Sequence, residues 1–308
     1  MKNQNYKKMF ITDLDGTLFT DNKQISQLDF DSLEMLGKMG IVRVFATGRS
    51  LYSFQKAFEQ IGFDKNSYDK LPVDYLVFST GAGIMELTRE DIINLEPKII
   101  KKHSLTTDDV IHIADYFNSL KLDYMIHRPV PDSHYFIYKE HNRKEGKSLK
   151  SDFNLRVEIY QDFIKKIDYA GSVRDFGEAT ELLSIVPAQY GHKTADMIEQ
   201  ALSKFSVVRA TSPLDGSSVW IEVFNKMVSK SQAISWLAGE LGVKQQDVGA
   251  VGNDYNDLDM LKWASHSFIV KNAPKSLKEK LTGNKQFQEV KANNKSGVAD
   301  AINIFLKH

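Results

Sequence analysis

The stretch that decides the fold is MFITDLDGT, residues 9–17, in which an uncharged run ends in two carboxylates and a glycine. Met9–Thr12 is typical of a short buried strand, and the acidic and glycine residues after it mark a turn. Asp13 and Asp15 are two residues apart, so an extended backbone projects both side chains to the same side. Two like charges this close are costly unless a cation lies between them or one takes a proton. The stretch suits a magnesium site coupled to acid–base chemistry, although alone it also fits an ordinary acidic turn.

Strands and helices alternate at both ends of the chain. Ser26 and Asp29 are spaced as a capping box, and a helix is expected from Ser26 to about Met39. Helices are also predicted at Leu51–Ile61, Ser229–Leu241, Leu258–Trp263 and Val298–Leu306, and strands at Ile41–Ala46, Tyr75–Ser79, Val248–Val251 and Phe268–Val270. This alternation predicts the α/β fold class, with a doubly wound, Rossmann-like parallel sheet shared by the two ends of the chain.

The middle of the chain has a different pattern. It combines helices with alternating or apolar strands, predicted at Asp108–Leu120, Tyr135–Tyr138, Leu182–Val186 and Val219–Val223. Its most polar part, residues 139–150, is expected to be an exposed connector. We therefore predict an α+β domain, residues 87–224, inserted into a discontinuous core domain that comprises residues 1–86 and 225–308.

Composition narrows the possible functions. The 308 residues carry 40 Lys plus Arg and 40 Asp plus Glu, a balance that does not favour nucleic-acid binding. Apolar runs stay well below the roughly 18 residues of a membrane span, and the amino terminus lacks a signal-peptide core. We therefore expect a cytoplasmic protein that binds no membrane. The absence of cysteine excludes thiol nucleophiles and thiolate metal sites, so a catalytic nucleophile has to be oxygen or nitrogen.

Three more motifs fall where a parallel sheet places its ligands. Thr47-Gly48-Arg49 ends a predicted strand, and a threonine hydroxyl there can donate to a phosphoryl oxygen. Lys230 opens a helix, a position that the helix dipole disfavours for a cation unless an anion compensates. Gly252–Asp257, with the sequence GNDYND, again ends a predicted strand and offers oxygen ligands suited to magnesium. Taken alone, the first motif also fits a capped turn, and Lys230 a solvated surface lysine.

Together the four motifs, Asp13–Thr17, Thr47–Arg49, Lys230 and Gly252–Asp257, resemble those of the haloacid dehalogenase-like (HAD) phosphatases. Within that superfamily the chain is similar to the Cof-type sugar-phosphate phosphatases, which carry a type IIB α+β cap domain. The resemblance covers nearly the whole chain in layout. It implies a phosphoric monoester hydrolase with Mg2+ as its cofactor and a small phosphorylated metabolite, such as a sugar phosphate, as its substrate.

The resemblance also implies a role for each matched residue. Asp13 would attack phosphorus to form an aspartyl-phosphate, and Asp15 would protonate the leaving oxygen and then activate water. As a residue of a surface loop, Asp13 is expected to tolerate replacement by Asn without loss of folding. Thr47 and Lys230 would hold the transferring phosphoryl group. The implied phosphate-binding set is Thr47, Gly48, Arg49, Lys230 and Gly81, and the implied metal-binding set is Asp13, Asp15 through its backbone carbonyl, Asn253, Asp254 and Asp257.

Two positions depart from the family pattern. The family usually has Gly-Asp at the start of the last motif, whereas this chain has Gly252-Asn253. An amide oxygen can still bind magnesium, but the loss of a formal charge should weaken the attraction unless Asp254 or Asp257 compensates. The group also commonly has Asn before Gly-Ala, and this chain has Thr80 there, which keeps a side chain capable of hydrogen bonding.

Several questions stay open at this point. Candidates for reading the leaving group in the cap are His127, Arg128, His134 and Arg174, although each type is more often a surface or structurally paired residue. A phosphomutase would share the first chemical step. If Asn253 had abolished useful magnesium affinity, the protein would instead be an aspartyl-phosphate receiver or a metabolite-binding protein. Asp15 argues against a receiver, because a receiver needs a stable phosphoaspartate and not an adjacent acid–base group that hydrolyses it. We expect a monomer or a small homo-oligomer.

Overall fold

The computed structural model describes residues 6–63, 70–87, 98–141, 152–167, 172–212, 214–282 and 287–308. Its strands are β1 (Met9–Thr12), β2 (Val42–Ala46), β3 (Tyr75–Phe78), β4 (Gly83–Glu86), β5 (Lys98–Lys102), β6 (Tyr124–His127), β7 (Phe136–Lys139), β8 (Ile164–Lys166), β9 (Glu181–Val186), β10 (Ser206–Thr211), β11 (Val219–Phe224), β12 (Val248–Gly252), β13 (His266–Val270) and β14 (Phe287–Val290). Its helices are α1 (Gln27–Lys38), α2 (Leu51–Gln60), α3 (Thr107–Ser119), α4 (Asp152–Ile159), α5 (Ser172–Phe176), α6 (Ala188–Ala201), α7 (Lys230–Glu240), α8 (Leu258–Trp263), α9 (Lys275–Leu281) and α10 (Gly297–Phe305).

The chain divides into two compact units, one of which is discontinuous in sequence. The core unit comprises Met1–Arg49, Phe54–Lys101 and Ser229–His308, and the inserted unit comprises Ser50–Ser53 and Lys102–Val228. The prediction of an α/β core with an inserted α+β domain is confirmed. Its limits at residues 87 and 224 stay a prediction, and residues 88–97, which follow the first limit, lie outside the described part of the chain.

The core unit is built on an eight-stranded sheet in the order β14-β13-β12-β1-β2-β3-β4-β5. Strands β14 through β3 are parallel, and β4 is antiparallel to β3. In this register Thr12 at the end of β1 pairs with Val251 of β12 and with Phe45 of β2. The residues that follow these three strands therefore meet at one edge of the sheet, where a parallel sheet places its ligands.

Helices cover both faces of the core sheet. Alternate residues of β1 point to opposite faces, so Ile11 packs in a cluster with Ile234 and Leu237 of α7, while the Phe10 ring lies 5.4 Å from that of Phe305 in α10. A parallel strand buried on both faces reads as an uninterrupted apolar run, as the sequence MFIT does. The doubly wound arrangement follows from this two-sided burial.

Two helices of the core unit begin with a serine hydroxyl cap. Ser26 Oγ accepts from the Asp29 N–H at 3.1 Å, and Ser229 Oγ accepts from the Gln232 N–H at 3.2 Å. The carboxylate of Asp29 accepts from the Ser26 hydroxyl at 2.7 Å and from the Ala299 N–H at 2.7 Å. This residue therefore ties α1 to the first turn of α10, a contact that the capping-box spacing does not predict.

The inserted unit contains a six-stranded sheet in the order β10-β11-β9-β6-β7-β8, in which only β7 and β8 among these strands pair in parallel. One face packs against α3 and α6, with Ile113, Phe117 and Ile198 in a shared apolar cluster. On the other face Phe153 of α4 packs against Met125 and Leu183. The alternation of apolar residues on both faces gives the unit a core of its own.

Several elements differ from the sequence interpretation. Three strands of the core sheet, β4 and the edge strands β5 and β14, are not predicted, because short strands such as FQEV in β14 carry too few apolar residues to stand out. The elements that the sequence predicts lie within two residues of their predicted limits. The elements β6, β8, β10, α4, α5, α6 and α9 are also not named by the sequence interpretation. Of the predicted connector at residues 139–150, Lys139 ends β7 and residues 142–150 lie outside the described part of the chain.

Candidate active site

Asp13 is the first residue after β1, and its carboxylate meets a lysine from the other end of the chain. Its backbone N–H donates to the Val251 carbonyl at 3.0 Å, which continues the pairing of β1 with β12. Lys230 Nζ donates to Asp13 Oδ1 at 2.8 Å. Lys230 is fully buried and Asp13 is only 5% exposed, so the expectation that Asp13 lies on a surface loop is wrong. The lysine at the start of α7 is compensated by an anion, as its position requires.

Lys230 has a second buried acceptor in Asp257. Its Nζ donates to Asp257 Oδ1 at 2.6 Å, and Asp257 Oδ2 accepts from the N–H groups of Asn253 at 2.9 Å and Asp254 at 3.1 Å. Gly252 makes room for this carboxylate, because a Cβ there would lie 2.6 Å from Asp257 Cγ. Asp257 therefore holds the loop after β12 and the lysine at the same time.

The two carboxylates and the ammonium form a buried charged cluster. Burial raises the pKa of Asp13 to about 7, the Asp257 charge acts in the same direction, and Lys230 opposes both. Burial alone would lower the pKa of Lys230, but the carboxylates of Asp13 and Asp257 raise it above its usual value, so the ammonium stays charged. A further cation beside Asp13 would stabilise its ionised form.

Two cations hold the Asp15 carboxylate. Arg49 forms a bidentate pair with it, with Nε 2.6 Å from Oδ2 and Nη2 2.8 Å from Oδ1, and Lys23 Nζ lies 3.1 Å from Oδ1. Burial would raise the pKa of Asp15, but the hydrogen bonds and charge of Arg49, helped by Lys23, hold it below its usual value. Asp15 is therefore an ionised carboxylate in this arrangement. The sequence interpretation does not include Lys23, which lies in a loop without a recognisable motif.

The turn after β2 carries Thr47, Gly48 and Arg49. Thr47 Oγ1 accepts from the Arg49 N–H at 3.1 Å, which fixes the turn. The next turn, after β3, is joined to it, since Ser79 N–H donates to the Arg49 carbonyl at 2.8 Å and Thr80 N–H to the Thr47 carbonyl at 3.0 Å.

Gly81 follows in that second turn with a φ of 104°, and a Cβ at this position would lie 2.5 Å from the Ser229 carbonyl oxygen. A glycine is therefore required where the chain passes the start of α7. The turn after β3 and the cap of α7 are in direct backbone contact.

The oxygen donors near Asp13 fit a magnesium ion. Asn253 Oδ1 accepts from the Thr17 hydroxyl at 3.2 Å, and a Cβ at Gly16 would lie 2.4 Å from Asn253 Nδ2, so the loops after β1 and β12 are in contact. Within the described ranges, no group of three or more His, Cys, Asp or Glu side chains could hold a metal ion. A magnesium ion here would need a mixed set of hard oxygen ligands, which the Asp13 carboxylate, the Asp15 carbonyl and the Asn253 amide provide, with water for the rest.

The predicted catalytic, phosphate-binding and metal-binding residues belong to the core unit, and hydrogen bonds join most of them into two groups. Asp13, Lys230, Asp257 and the Asn253–Asp254 backbone form one connected group, while Asp15, Arg49 and Thr47 form another. Their catalytic, phosphate-binding and metal-binding roles stay predictions.

The four cap candidates belong to the inserted unit. His127 is fully buried in β6, where its Nδ1 lies 2.7 Å from the Ser133 carbonyl oxygen. Arg128 is exposed, with its guanidinium carbon 5.7 Å from the centre of the Tyr135 ring. His134 is half-buried, and Arg174 is exposed in α5. Any role in reading a leaving group stays a prediction.

The family model of the haloacid dehalogenase-like hydrolases matches residues 10–302 of the chain. The chain belongs to this family. The predicted family and the prediction that the protein is an enzyme of the hydrolase class are confirmed.

Relatives of this HAD hydrolase match it over nearly the whole length of both chains. The 5-amino-6-(5-phospho-D-ribitylamino)uracil phosphatase YwtE of Bacillus subtilis is 24% identical, with 97% of this chain and 98% of the relative covered. The solved structure of BT1666 from Bacteroides thetaiotaomicron, a HAD phosphatase, has a TM-score of 0.70 at 20% identity, with 99% and 97% covered. The HAD subclass IIB sugar phosphatase BT4131 has a TM-score of 0.68 at 15% identity, with 97% and 99% covered.

Among the residues of this HAD hydrolase that the structure describes, no helix has both the length and the apolar character that a bilayer span needs.

Proposed function

We propose that this HAD hydrolase is a magnesium-dependent phosphatase that hydrolyses small phosphomonoesters, sugar phosphates or related metabolites, through an aspartyl-phosphate on Asp13. The observation that carries the proposal is the fully buried ammonium of Lys230, hydrogen-bonded to both Asp13 and Asp257. Burying a charge is costly, and phosphoryl transfer needs a fixed cation beside the nucleophile to neutralise developing charge.

In the first step Asp13 attacks the phosphorus atom with Oδ2, the oxygen that does not bind Lys230. The bond between phosphorus and the ester oxygen breaks, and the leaving oxygen takes a proton from Asp15. In the second step a water attacks the phosphorus of the aspartyl-phosphate and gives a proton back to Asp15, which releases inorganic phosphate and restores Asp13. Bound magnesium would neutralise charge on the phosphoryl oxygens, held by Asp13, the Asp15 carbonyl and Asn253.

The ion pair between Arg49 and Asp15 affects the first step, because Asp15 has to carry a proton to act as an acid. Asp15 is ionised while it binds Arg49 and Lys23, which suits a base for the second step but not an acid for the first. A phosphoryl group bound nearby would compete with Asp15 for the Arg49 guanidinium, whose Nε and Nη2 bind the carboxylate in this arrangement. We infer that substrate binding draws Arg49 away from Asp15, which raises the pKa of Asp15 and allows it to carry the proton.

The substrate class rests on the relatives. YwtE is named for a phosphate ester of a ribityl chain, and BT4131 is described as a sugar phosphatase. Both descriptions concern phosphomonoesters of polyhydroxylated molecules. We propose the same broad class for this chain.

The test is phosphate release from a panel of phosphorylated metabolites in Mg2+, with wild type, Asp13→Asn and, as a matched control, Asp31→Asn on the exposed face of α1. We expect release by wild type and by the control but not by Asp13→Asn, and loss of release in excess chelator. Transfer of phosphate between substrate positions without release would indicate a phosphomutase. Binding of phosphorylated compounds without turnover would indicate a metabolite-binding protein.

A further inference from the structure

We propose that the hydroxyl of Thr80 is a further phosphate-binding group of this site. The inference rests on the proposed function, since it supposes that an anionic phosphoryl group binds at the turn that carries Thr47 and Gly48. Three features of Thr80 support it: an unpartnered buried hydroxyl, a strained backbone, and the direction in which the hydroxyl points.

The first feature is the hydroxyl itself. Thr80 is 1% exposed, and its Oγ1 has no hydrogen-bond partner in the structure. A buried hydroxyl without a partner loses the hydrogen bonds that water gave it, and nearly all such groups in native proteins are satisfied by protein, water or a ligand. A bound group that accepts a hydrogen bond from Thr80 would replace the hydrogen bonds to water that the hydroxyl loses on burial.

The second feature is the backbone. Ser79, Thr80 and Gly81 have φ values of 46°, 58° and 104°, three consecutive residues in the left-handed region. Glycine and asparagine adopt this region readily, whereas a β-branched residue there is a clear outlier. The hydrogen bonds from Ser79 and Thr80 to the turn after β2 hold the conformation. Strain of this kind is concentrated at functional sites. It indicates that the threonine hydroxyl has a function that offsets the strain of the backbone.

The third feature is direction. Thr80 Oγ1 lies 3.6 Å from the point where a Cβ on Gly48 would be, and Asn256 Nδ2 lies 3.5 Å from the same point. The hydroxyl therefore faces the middle residue of the turn that carries Thr47 and Arg49, on the side that glycine leaves open. Thr80 also precedes Gly81, which contacts the cap of α7, an eleven-residue helix whose amino terminus attracts anions.

The polar groups around this turn indicate which class of ligand would bind to the Thr80 hydroxyl. Two further hydrogen-bond donors lie at this turn: the Asn256 amide, 3.5 Å from the point where a Cβ on Gly48 would be, and the Arg49 guanidinium, which binds Asp15 through Nε and Nη2. A ligand that accepts several hydrogen bonds and carries negative charge fits such a set, and a phosphoryl group does so. Burial does not oppose this, because Thr47 at 1% and Lys230 at 0% are equally enclosed.

The experiment compares Thr80→Val, which removes the hydroxyl but keeps the shape, with Thr80→Ser, which keeps the hydroxyl. The dissociation constant of inorganic phosphate in Mg2+ is measured by calorimetry, and KM and kcat for p-nitrophenyl phosphate are measured in parallel. We expect Thr80→Val to weaken phosphate binding and raise KM by about tenfold, the usual effect of one hydrogen bond to a charged group, and Thr80→Ser to stay within about twofold of wild type. Ser267→Ala is the matched control, because the Ser267 hydroxyl is buried in β13 and bonded to the Leu261 and Ala264 carbonyls.

A third variant separates binding from folding. Thr80→Gly relieves the left-handed strain, so we expect a higher melting temperature together with the same loss of phosphate affinity as in Thr80→Val. A purely structural role would lower stability and affinity together. Unchanged phosphate affinity in Thr80→Val, with turnover intact in wild type, would reject the inference and assign the hydroxyl to an ordered water. Failure of wild type to bind phosphate and to hydrolyse any phosphomonoester would reject the proposed function itself.

Discussion

Lys230 Nζ lies 2.8 Å from Asp13 Oδ1, although the two residues are 217 positions apart in the chain. The contact joins the end of β1 to the first residue of α7, with Lys230 fully buried and Asp13 nearly so. Because Asp257 shares the same ammonium, the cluster has two carboxylates for one cation. Asp13 therefore affects both the stability of the fold and the proposed chemistry. Substitutions of Asp13 should change these two properties in different ways.

Replacement of Asp13 by Asn should abolish turnover and raise the melting temperature. The nucleophile is lost, which should reduce kcat by at least about a thousandfold. Burial holds the pKa of Asp13 near 7, so its ionised form opposes folding at neutral and higher pH, and the amide removes that charge while Lys230 keeps Asp257. Calorimetry at pH 8 and a phosphate-release assay check both parts. A clear fall in melting temperature would contradict this account of the cluster.

Replacement of Lys230 by Met should lower the free energy of unfolding by about 3–5 kcal/mol, because it leaves two buried carboxylates without a cation. Urea unfolding at neutral pH measures the change. The same substitution in an Asp13→Asn background should cost less, since one of the two carboxylates is already neutral. Equal costs in the two backgrounds would show that the charges do not interact as their distances suggest.

Replacement of Asn253 by Asp should lower the magnesium concentration needed for half-maximal activity. The carboxylate adds a negative charge where the loop after β12 contacts the loop after β1, at a position that already offers an oxygen. Magnesium titration of phosphate release measures the effect, with Asp254→Asn as a matched change of opposite sign in the same loop. An unchanged requirement in Asn253→Asp would exclude this side chain from the metal site.

His127 and Glu181 should make opposite contributions to stability as pH falls. Burial, with the Arg156 charge, lowers the pKa of His127 to about 3, although the Ser133 hydrogen bond opposes this shift. The unfolded chain therefore takes up a proton near pH 6.5 that the folded chain refuses, and stability falls as pH drops from about 6.5 towards 3. Burial raises the pKa of Glu181, its partner across β6 and β9, to about 7 against the opposing charge of Arg156. The folded chain takes up that proton first, and stability rises as pH drops from about 7 to 4.5.

Single substitutions should reveal each contribution. Relative to wild type, His127→Asn should gain up to about 1.4 kcal/mol of stability per unit of pH decrease between 6.5 and 4.5, and Glu181→Gln should lose a similar amount. Urea unfolding is followed through Trp220 of β11 in a chain that carries Trp236→Phe and Trp263→Phe. If both variants parallel wild type over this range, neither group titrates as its burial suggests.

The sequence predicts the core well because its signals are local and redundant. The strands β1, β2 and β12 are mainly apolar runs followed by turn motifs, and these motifs meet because the sheet aligns those strand ends. The partnership of Asp13 with Lys230 follows from the same alignment. The residue types and their order suffice for this level of description.

Other features depend on contacts that no local pattern encodes. The burial of Asp13 arises from the packing of α7 against the sheet, and a loop position in the sequence suggests the opposite. The binding of Lys23 to Asp15 depends on how the loop after β1 folds back, and the left-handed turn at Thr80 depends on two backbone carbonyls of a different turn. In the inserted unit, no local pattern explains why a charged residue such as Glu181, at the start of β9, is buried.

The place of β1 between β2 and β12 has a consequence for biosynthesis. A ribosome delivers Asp13 early, but the strand that completes its surroundings, Val248–Gly252, emerges only after more than two hundred further residues have been translated. Until then one edge of β1 has no neighbour, and the nascent chain has to keep an apolar strand edge from pairing elsewhere. Premature termination anywhere before β12 would therefore leave a polypeptide in which the cluster of Asp13, Lys230 and Asp257 cannot assemble, however well its inserted unit folds.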